Sequence, residues 1–397
     1  MSAAIAEICE INPRLGIKPT EDEPVAFVGM SDLNEIDAVA TNAVVRPYRD
    51  VAKGYTPFED GDILVAKITP CFQNGKIGQA RTSTRLAFGS TEFHVLRPRE
   101  GAVDRRYLLH SLRRDDVLRH GEMRMTGAGG QRRVPARFFD ELTIPLPPIN
   151  KQRRIAAVLD AADELRTKRR EALAKLDTLA QAIYIDMFGD SVENARGWPR
   201  ATLGEILERV ESGKSPTCLD RRAQAGEWGV LKAGAVSYGF FRAEENKALP
   251  DGVAPDPRHE VRAGDVLFSR KNTHDLVATT AYVDSTPPRL LMSDLIFRLV
   301  IDSSSGVDGR FLQAQLSTPR TKRDLQALAA GSSGSMPNIS KAKVRQVHVV
   351  VPPTENQRDF ASRAQSVEAA IGRGQRSAET LDALFSSLQQ RAFRGEL

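Results

Sequence analysis

Two stretches of the chain place apolar residues at a spacing that suits a long helix. The first runs Ile155, Ala162, Leu176 and Ile183 at multiples of seven, with Val158, Leu165, Ala172 and Leu179 three positions further on. The second runs Phe360, Val367, Leu381 and Leu388, with Ala370 and Leu384 in the companion row. Apolar positions that alternate by three and four build a stripe for coiled-coil pairing. The pattern predicts helices over 151–188 and 356–393, each about 57 Å long at ~1.5 Å per residue. Asn150 is expected to cap the first helix, and Thr354 with Gln357 to form a capping box on the second. Arg169 and Gly374 interrupt the two seams at matching places, and "IGRGQRS" (371–377) carries a second glycine. Each Gly costs roughly 1 kcal/mol relative to Ala in a helix, so a kink or a loosened middle is expected there.

The rest of the pattern is short, and it is written twice. "GDILVAKI" (61–68) and "GDVLFSRK" (264–271) each read as a Gly-Asp turn feeding an apolar strand. "RYLLHSL" (106–112) and "RFLQAQL" (310–316) read as short helices. "TGAGGQRRVP" (126–135) answers "GSSGSMPNIS" (331–340), and "LTIPLPP" (142–148) answers "VHVVVPP" (347–353), at an offset of 203–205 residues throughout. Each Pro-Pro then opens on Gln-Arg, in "PLPPINKQRRIAAVLD" (145–160) and "VVPPTENQRDFASRAQ" (350–365). The long helices also end alike, in "LDTLAQAIYIDMFGD" and "LDALFSSLQQRAFRGEL". A period of half the chain is a duplication, not a solenoid. The order is globular unit, long helix, linker "GDSVENARGWPR" (189–200), globular unit, long helix. Two like helices lying antiparallel would relate the globular units by a pseudo-two-fold axis.

Composition narrows the class. At 397 residues with 41% hydrophobic and 27% charged positions, the chain is an ordinary globular one of two or three domains. No apolar run is long enough for a membrane span, and "MSAAIAEICEINPR" lacks the plan of a signal peptide. Cys9, Cys71 and Cys218 are scattered and odd in number, so a reduced, cytoplasmic chain is expected. The net charge of +5 is unevenly spread. From Arg97 to Arg137 there are 11 Arg against five acids, and from Pro319 to Arg345 six Lys/Arg against Asp324 alone. Clustered cations at matching places in a repeat point to a polyanion such as DNA, with a solvated basic face as the plain alternative.

Enzyme motifs fail one by one. Gly213-Lys214-Ser215 imitates the tail of a P-loop, but Glu208 stands where its first glycine belongs. His120-Gly121-Glu122 has no P-C-x-x-C downstream to complete a deaminase zinc site. The cysteines and six histidines have no metal-ligand spacing, and no G-x-G-x-x-G opens a helix to hold a cofactor. A non-catalytic chain without metal or cofactor is expected.

The strand–Pro-Pro–helix junctions at 142–155 and 347–360, "LAQAIYIDMFGD", "GSSGSMPNISKAKV" and the terminal "LQQRAFRGEL" together resemble the specificity (S) subunit of type I restriction–modification systems, over essentially the full length. The resemblance implies an α+β fold with two homologous target recognition domains joined by two long helices in an antiparallel coiled coil. It places the first domain at 1–148, the central helix at 149–190, the second domain at 191–353 and the C-terminal helix at 354–397. Each domain would read one half of a split double-stranded DNA target. The helices, through Ile155, Val158, Leu165, Leu176, Leu179 and Ile183 and through Phe360, Val367, Leu381, Leu384 and Leu388, would pair and dock two modification (methyltransferase) subunits. A restriction subunit would join them, no membrane is involved, and S-adenosylmethionine is expected on the methyltransferase.

Loops that differ between the repeats are where separate half-site specificities belong. In the first domain these are Lys67, Gln73, Asn74 and Lys76, and in the second Arg270, Lys271, Asn272 and Thr273. Lys or Arg can reach guanine, and Gln or Asn can pair with adenine. The glycine-rich segments 126–131 and 331–335 would let backbone N–H groups approach phosphate, flanked by Arg124, Arg132 and Arg133 and by Lys341, Lys343 and Arg345. For each, a surface-loop role without DNA is the alternative. Two other readings stay open: a coiled-coil adaptor that never touches DNA, and a specificity-like subunit of a modification-only or other phage-defence complex.

Overall fold

The computed structural model describes residues 2–16, 18–42, 44–128, 130–329 and 336–397. The chain forms two compact units, residues 1–173 with 374–397 and residues 174–373. The long helices Ile149–Phe188 and Thr354–Arg394 each contribute to both.

Unit 1 begins with Ser2–Ala4 paired antiparallel to Thr143–Pro145, which closes the domain just ahead of the Pro-Pro stop. Its main sheet has six strands in the order Cys9–Ile11, Phe93–Pro98, Ile63–Ala66, Ile77–Arg81, Val39–Thr41, Leu33–Asn34. A four-stranded sheet holds Val44–Pro47, Pro24–Val28, Leu86–Gly89 and Thr56–Glu59, the middle two parallel. Ile63–Ala66 is buried along its whole length, as an apolar run between two packed faces should be. On one side lies the core around Tyr107, Leu108, Phe138 and Phe139, which the start of the central helix enters with Ile155, Ala156 and Leu159.

Unit 2 repeats this plan. Arg200–Thr202 pairs with His348–Val350, Leu207–Ser212 with Ile296–Ile301, and Val266–Ser269 lies between Ile296–Ile301 and Thr280–Tyr282. Gly229–Leu231 pairs in parallel with Leu290–Leu291, as Pro24–Val28 does with Leu86–Gly89. The short helices match as well: Arg105–Leu112 with Gly309–Leu316, and Arg137–Glu141 with Lys341–Arg345. Asp104 caps the first of these by accepting from the N–H groups of Arg106 and Tyr107, and Asp308 caps its copy through Arg310 and Phe311.

The Gln of each Gln-Arg helix start is fully buried and fixes the junction. Gln152 accepts from Asp104 N–H (2.9 Å) and donates to Pro147 C=O (2.8 Å). Gln357 accepts from Asp308 N–H (2.9 Å) and donates to Pro352 C=O (2.7 Å). One side chain thus locks the Pro-Pro turn to the capped end of a neighbouring helix. This corrects the capping box expected at Thr354: Gln357 is spent on Asp308 and Pro352, and the Thr354 hydroxyl donates to Gly306 C=O. Asn150 is likewise no cap, because the helix already begins at Ile149.

The helix ends repeat for a packing reason. In unit 2, Phe188 packs against Phe311 (ring centroids 4.9 Å apart) and Tyr184 against Phe360 (5.7 Å). In unit 1 the equivalent Phe393 packs against Tyr107 (5.3 Å). Each domain is therefore held by the start of the helix that follows it and the end of the other. The linker is tied in too, since Trp198 Nε1 donates to Phe188 C=O.

Within unit 1 the helices run antiparallel. Leu173 lies against Gly374, Arg166 bonds Asp382 at 2.6 Å, and Lys151 reaches Gly395 C=O. The inward rows are Ile155, Ala162, Arg169, Leu176, Ile183 and, one residue later than expected, Leu159, Arg166, Leu173, Ala180 and Met187. On the second helix Ala364, Ile371, Ala378, Phe385 and Ala392 complete the row of Phe360, Val367, Leu381 and Leu388. Val158, Leu165, Leu179 and Leu384, expected in the seam, are 38%, 55%, 39% and 49% exposed. Apolar residues flank the true seam on both sides, so a three-four count alone chooses the wrong companion row. Both helices continue unbroken through Arg169 and Gly374. Gly374 is buried, and a Cβ there would stand 2.7 Å from Leu173 Cδ2, so the glycine serves a close helix–helix approach.

Candidate nucleic-acid interface

Each unit brings the loop after its Gly-Asp strand beside the segment that follows its glycine-rich stretch. In unit 1, Val134 N–H donates to Lys67 C=O and Thr69 N–H to Arg132 C=O (both 2.9 Å). Thr126 and Arg133 exchange backbone hydrogen bonds, closing the glycine-rich turn as a small hairpin. In unit 2, Ile339 N–H donates to Arg270 C=O (2.9 Å), and Lys271 bridges Asn338. Residues 331–335 and Gly129 lie outside the described residues.

Side chains divide into those free at the surface and those already engaged. Asn74, Lys271, Thr273 and Lys341 are exposed, and Lys67 is half-buried at the base of its loop. Lys76 pairs with Glu35 at 3.6 Å, Arg124 with Glu141 at 3.0 Å, and Arg132 with Glu122 at 3.9 Å. Arg133 grips Glu92 bidentately, with the shortest contact at 2.8 Å, and this hydrogen bonding holds the Glu92 carboxyl below its usual range. Gln73 donates to Glu122 at 3.3 Å. Arg270 donates to Asn338 Oδ1 and lies 4.9 Å from the Phe297 ring centroid.

Three candidates are structural ties. Asn272 is buried, donating to Ser237 Oγ (3.0 Å) and Ser269 Oγ (3.3 Å) and accepting from Thr273 N–H. Lys343 Nζ donates to Leu328 C=O (2.7 Å), and Arg345 to Gly204 C=O (2.8 Å). Carbonyls near helix ends lack intrahelical partners, and a nearby cation satisfies them.

The two basic clusters are less cationic than they read. In the stretch 97–137, Arg97 pairs with Asp62 and Glu59, Arg106 with Asp160, and Arg113 with Asp163. Their partners come from outside the stretch, which a local count omits. Burial alone would raise the Asp160 carboxyl, but hydrogen bonds from His110 and Arg106 overcome it and hold it down at about 2. His94, behind the recognition loop, is driven by burial toward its neutral form, with Nε2 on Val134 C=O and Nδ1 facing Asn12 Nδ2.

The sequence reading missed the turn at Ser237–Arg242, which carries the exposed aromatics Tyr238 and Phe240 beside Asn272. Its only signal was the cluster "SYGFF", two exposed aromatics around a glycine. Among the described residues, no group of three His, Cys, Asp or Glu is placed to hold a metal ion. No described helix is long and apolar enough to cross a membrane.

Residues 2–175 match the type I restriction modification DNA specificity domain. The chain is 28% identical to the EcoEI specificity subunit of Escherichia coli, over 88% of this chain and 74% of that protein. It is 35% identical to the EcoAI specificity subunit of the same organism over 45% of this chain and 31% of that one. Among solved structures, a chain of a type I R-M system solved for its complex assembly and conformational transition aligns over 100% of this chain and 98% of that chain, at 18% identity and a TM-score of 0.60. The S subunit from M. genitalium aligns over 99% and 96%, at 15% identity and a TM-score of 0.58.

Proposed function

We propose that this chain is a specificity subunit of a type I restriction–modification system and reads a split double-stranded DNA target, with one half-site assigned to each unit. The observation that carries this reading is the repeated pairing of a variable loop with the segment that follows a glycine-rich stretch, on a framework whose main strands and junctions occur in both units. Framework kept and loops changed is what two different half-site readers require. The exposed loop residues, Asn74 in unit 1 and Lys271 and Thr273 in unit 2, are the side chains free to meet base edges. The engaged arginines hold those loops in shape.

The long helices dock methyltransferase subunits. What supports this is the apolar surface left outside the intramolecular seam: Val158, Leu165 and Leu384 in unit 1, Leu179 and Ile185 in unit 2. Two methyltransferase subunits fit a duplicated surface, and S-adenosylmethionine and the methyl-transfer chemistry belong to them. A restriction subunit joins through that assembly, in the cytoplasm. This chain itself contributes recognition and not catalysis.

Co-purification with the methyltransferase subunits, followed by binding and methylation assays on host DNA, tests the reading. Sequence-selective binding with strong salt dependence is expected. Binding indifferent to sequence would overturn the half-site reading, and no DNA binding at low salt would favour an adaptor role.

A further inference from the structure

We propose that the Ser237–Arg242 turn is a second DNA-contacting element of unit 2, in which Tyr238 and Phe240 seat as an apolar wedge against the sugar and base faces of the duplex beside the bases met by Lys271 and Thr273. This rests on the DNA-reading role proposed above and adds residues to it.

Tyr238 and Phe240 are 59% and 55% exposed, with ring centroids 6.4 Å apart. Isolated exposed apolar residues need no explanation, but two adjacent aromatics on a held turn do. The turn is held at several points. Gly239 takes φ +83°, a conformation that favours glycine, and its carbonyl accepts from Gln313 Nε2 at 3.1 Å. Ser237 Oγ donates to Ala233 C=O, and Arg242 N–H to Ala235 C=O. The Arg242 guanidinium lies 5.1 Å from the Tyr238 ring centroid while bonding Glu244 at 2.8 Å, which makes Arg242 a positioning residue. An ordered aromatic loses little entropy on meeting a ligand.

Asn272 connects this turn to the reading loop. Its amide donates to Ser237 Oγ, its carbonyl oxygen accepts from Thr273 N–H, and its own N–H points to Pro337 C=O. The buried Asn272 therefore fixes the aromatic turn, the reading loop and the segment after the glycine-rich stretch to one another. Any duplex that reaches Lys271 and Thr273 comes against Tyr238 and Phe240. Apolar side chains at such places insert at base steps or stack on bases, and they do so with little sequence preference. Counted from the matching short turns Met30–Asp32 and Ala233–Ala235, the corresponding place in unit 1 is "NEIDAV" (34–39), which carries no aromatic. The wedge belongs to one half-site only.

The test uses the full chain with its methyltransferase subunits and a duplex bearing the split motif that is methylated in the host genome. The double variant Tyr238→Ala/Phe240→Ala should bind at least about tenfold more weakly, with the slope of log affinity against log salt unchanged, because no phosphate contact is removed. Tyr238→Phe/Phe240→Leu should bind within about twofold of the parent. Affinity of the alanine variant within twofold, or a reduced salt slope, overturns the inference while leaving the DNA-reading role standing. A parent protein that fails to distinguish the duplex from scrambled DNA overturns both.

Discussion

Replacing Gln357 with Met keeps the volume of a fully buried side chain and removes its polar atoms. Asp308 N–H loses its acceptor at 2.9 Å and Pro352 C=O its donor at 2.7 Å, whereas Gly306 C=O keeps the Thr354 hydroxyl. Leaving a buried polar group unpaired costs about 1–3 kcal/mol. Two such groups set the expected loss at roughly 2–6 kcal/mol, at the high end of ordinary substitutions. A chain of two compact units need not unfold in one step, so a single midpoint is the wrong readout. Amide hydrogen exchange reads the effect locally. Asp308, Arg310 and Phe311, which lie at the cap of Gly309–Leu316, should lose protection, while Asp104 and Tyr107 in unit 1 should not change. Gln152→Met should give the mirror result at Asp104, Arg106 and Tyr107. Unchanged protection at Asp308, or equal loss in both units from one substitution, would refute the clamp.

Gly374→Val should weaken unit 1 by about 1–3 kcal/mol through overpacking against Leu173, and adding Leu173→Ala should recover much of it in denaturant titration; Gly374→Val without effect would remove the close-approach reading. Asp160 has a carboxyl held below its ordinary value at about 2, so its contribution is fully present above about pH 4 and is lost as pH falls toward 2. Partial solvent exposure discounts that contribution to about 1–2 kcal/mol, and Asp160→Asn should flatten the acid limb of the unit 1 stability curve. Val158→Asp with Leu165→Glu should abolish association with methyltransferase subunits in gel filtration without changing the circular dichroism spectrum, because both side chains already face solvent.

The duplication, the junctions and the α+β plan were legible in the sequence because each repeats with its spacing intact. The companion row of the coiled coil was not, since Val158 and Leu165 are as apolar as Leu159 and Leu173, and only the partner helix decides between them. Nor was the role of Gln152 and Gln357, whose partners Asp104 and Asp308 lie about 48 residues away in sequence. Charge counted along the chain misled for a related reason. The acids that neutralise Arg97, Arg106 and Arg133 are Asp62, Asp160 and Glu92, all outside the stretch being counted. Asn272 reads like a base-contacting side chain but is spent inside the fold.

Each unit is proposed to read its own half of one split DNA target. Mapping methylated bases across the host genome, with the native chain and with Lys271→Ala/Thr273→Ala, tests it most directly. The expected result is a bipartite motif that disappears on deletion of this chain and changes in one half only with the double substitution. A continuous motif, or a change in both halves at once, would contradict it.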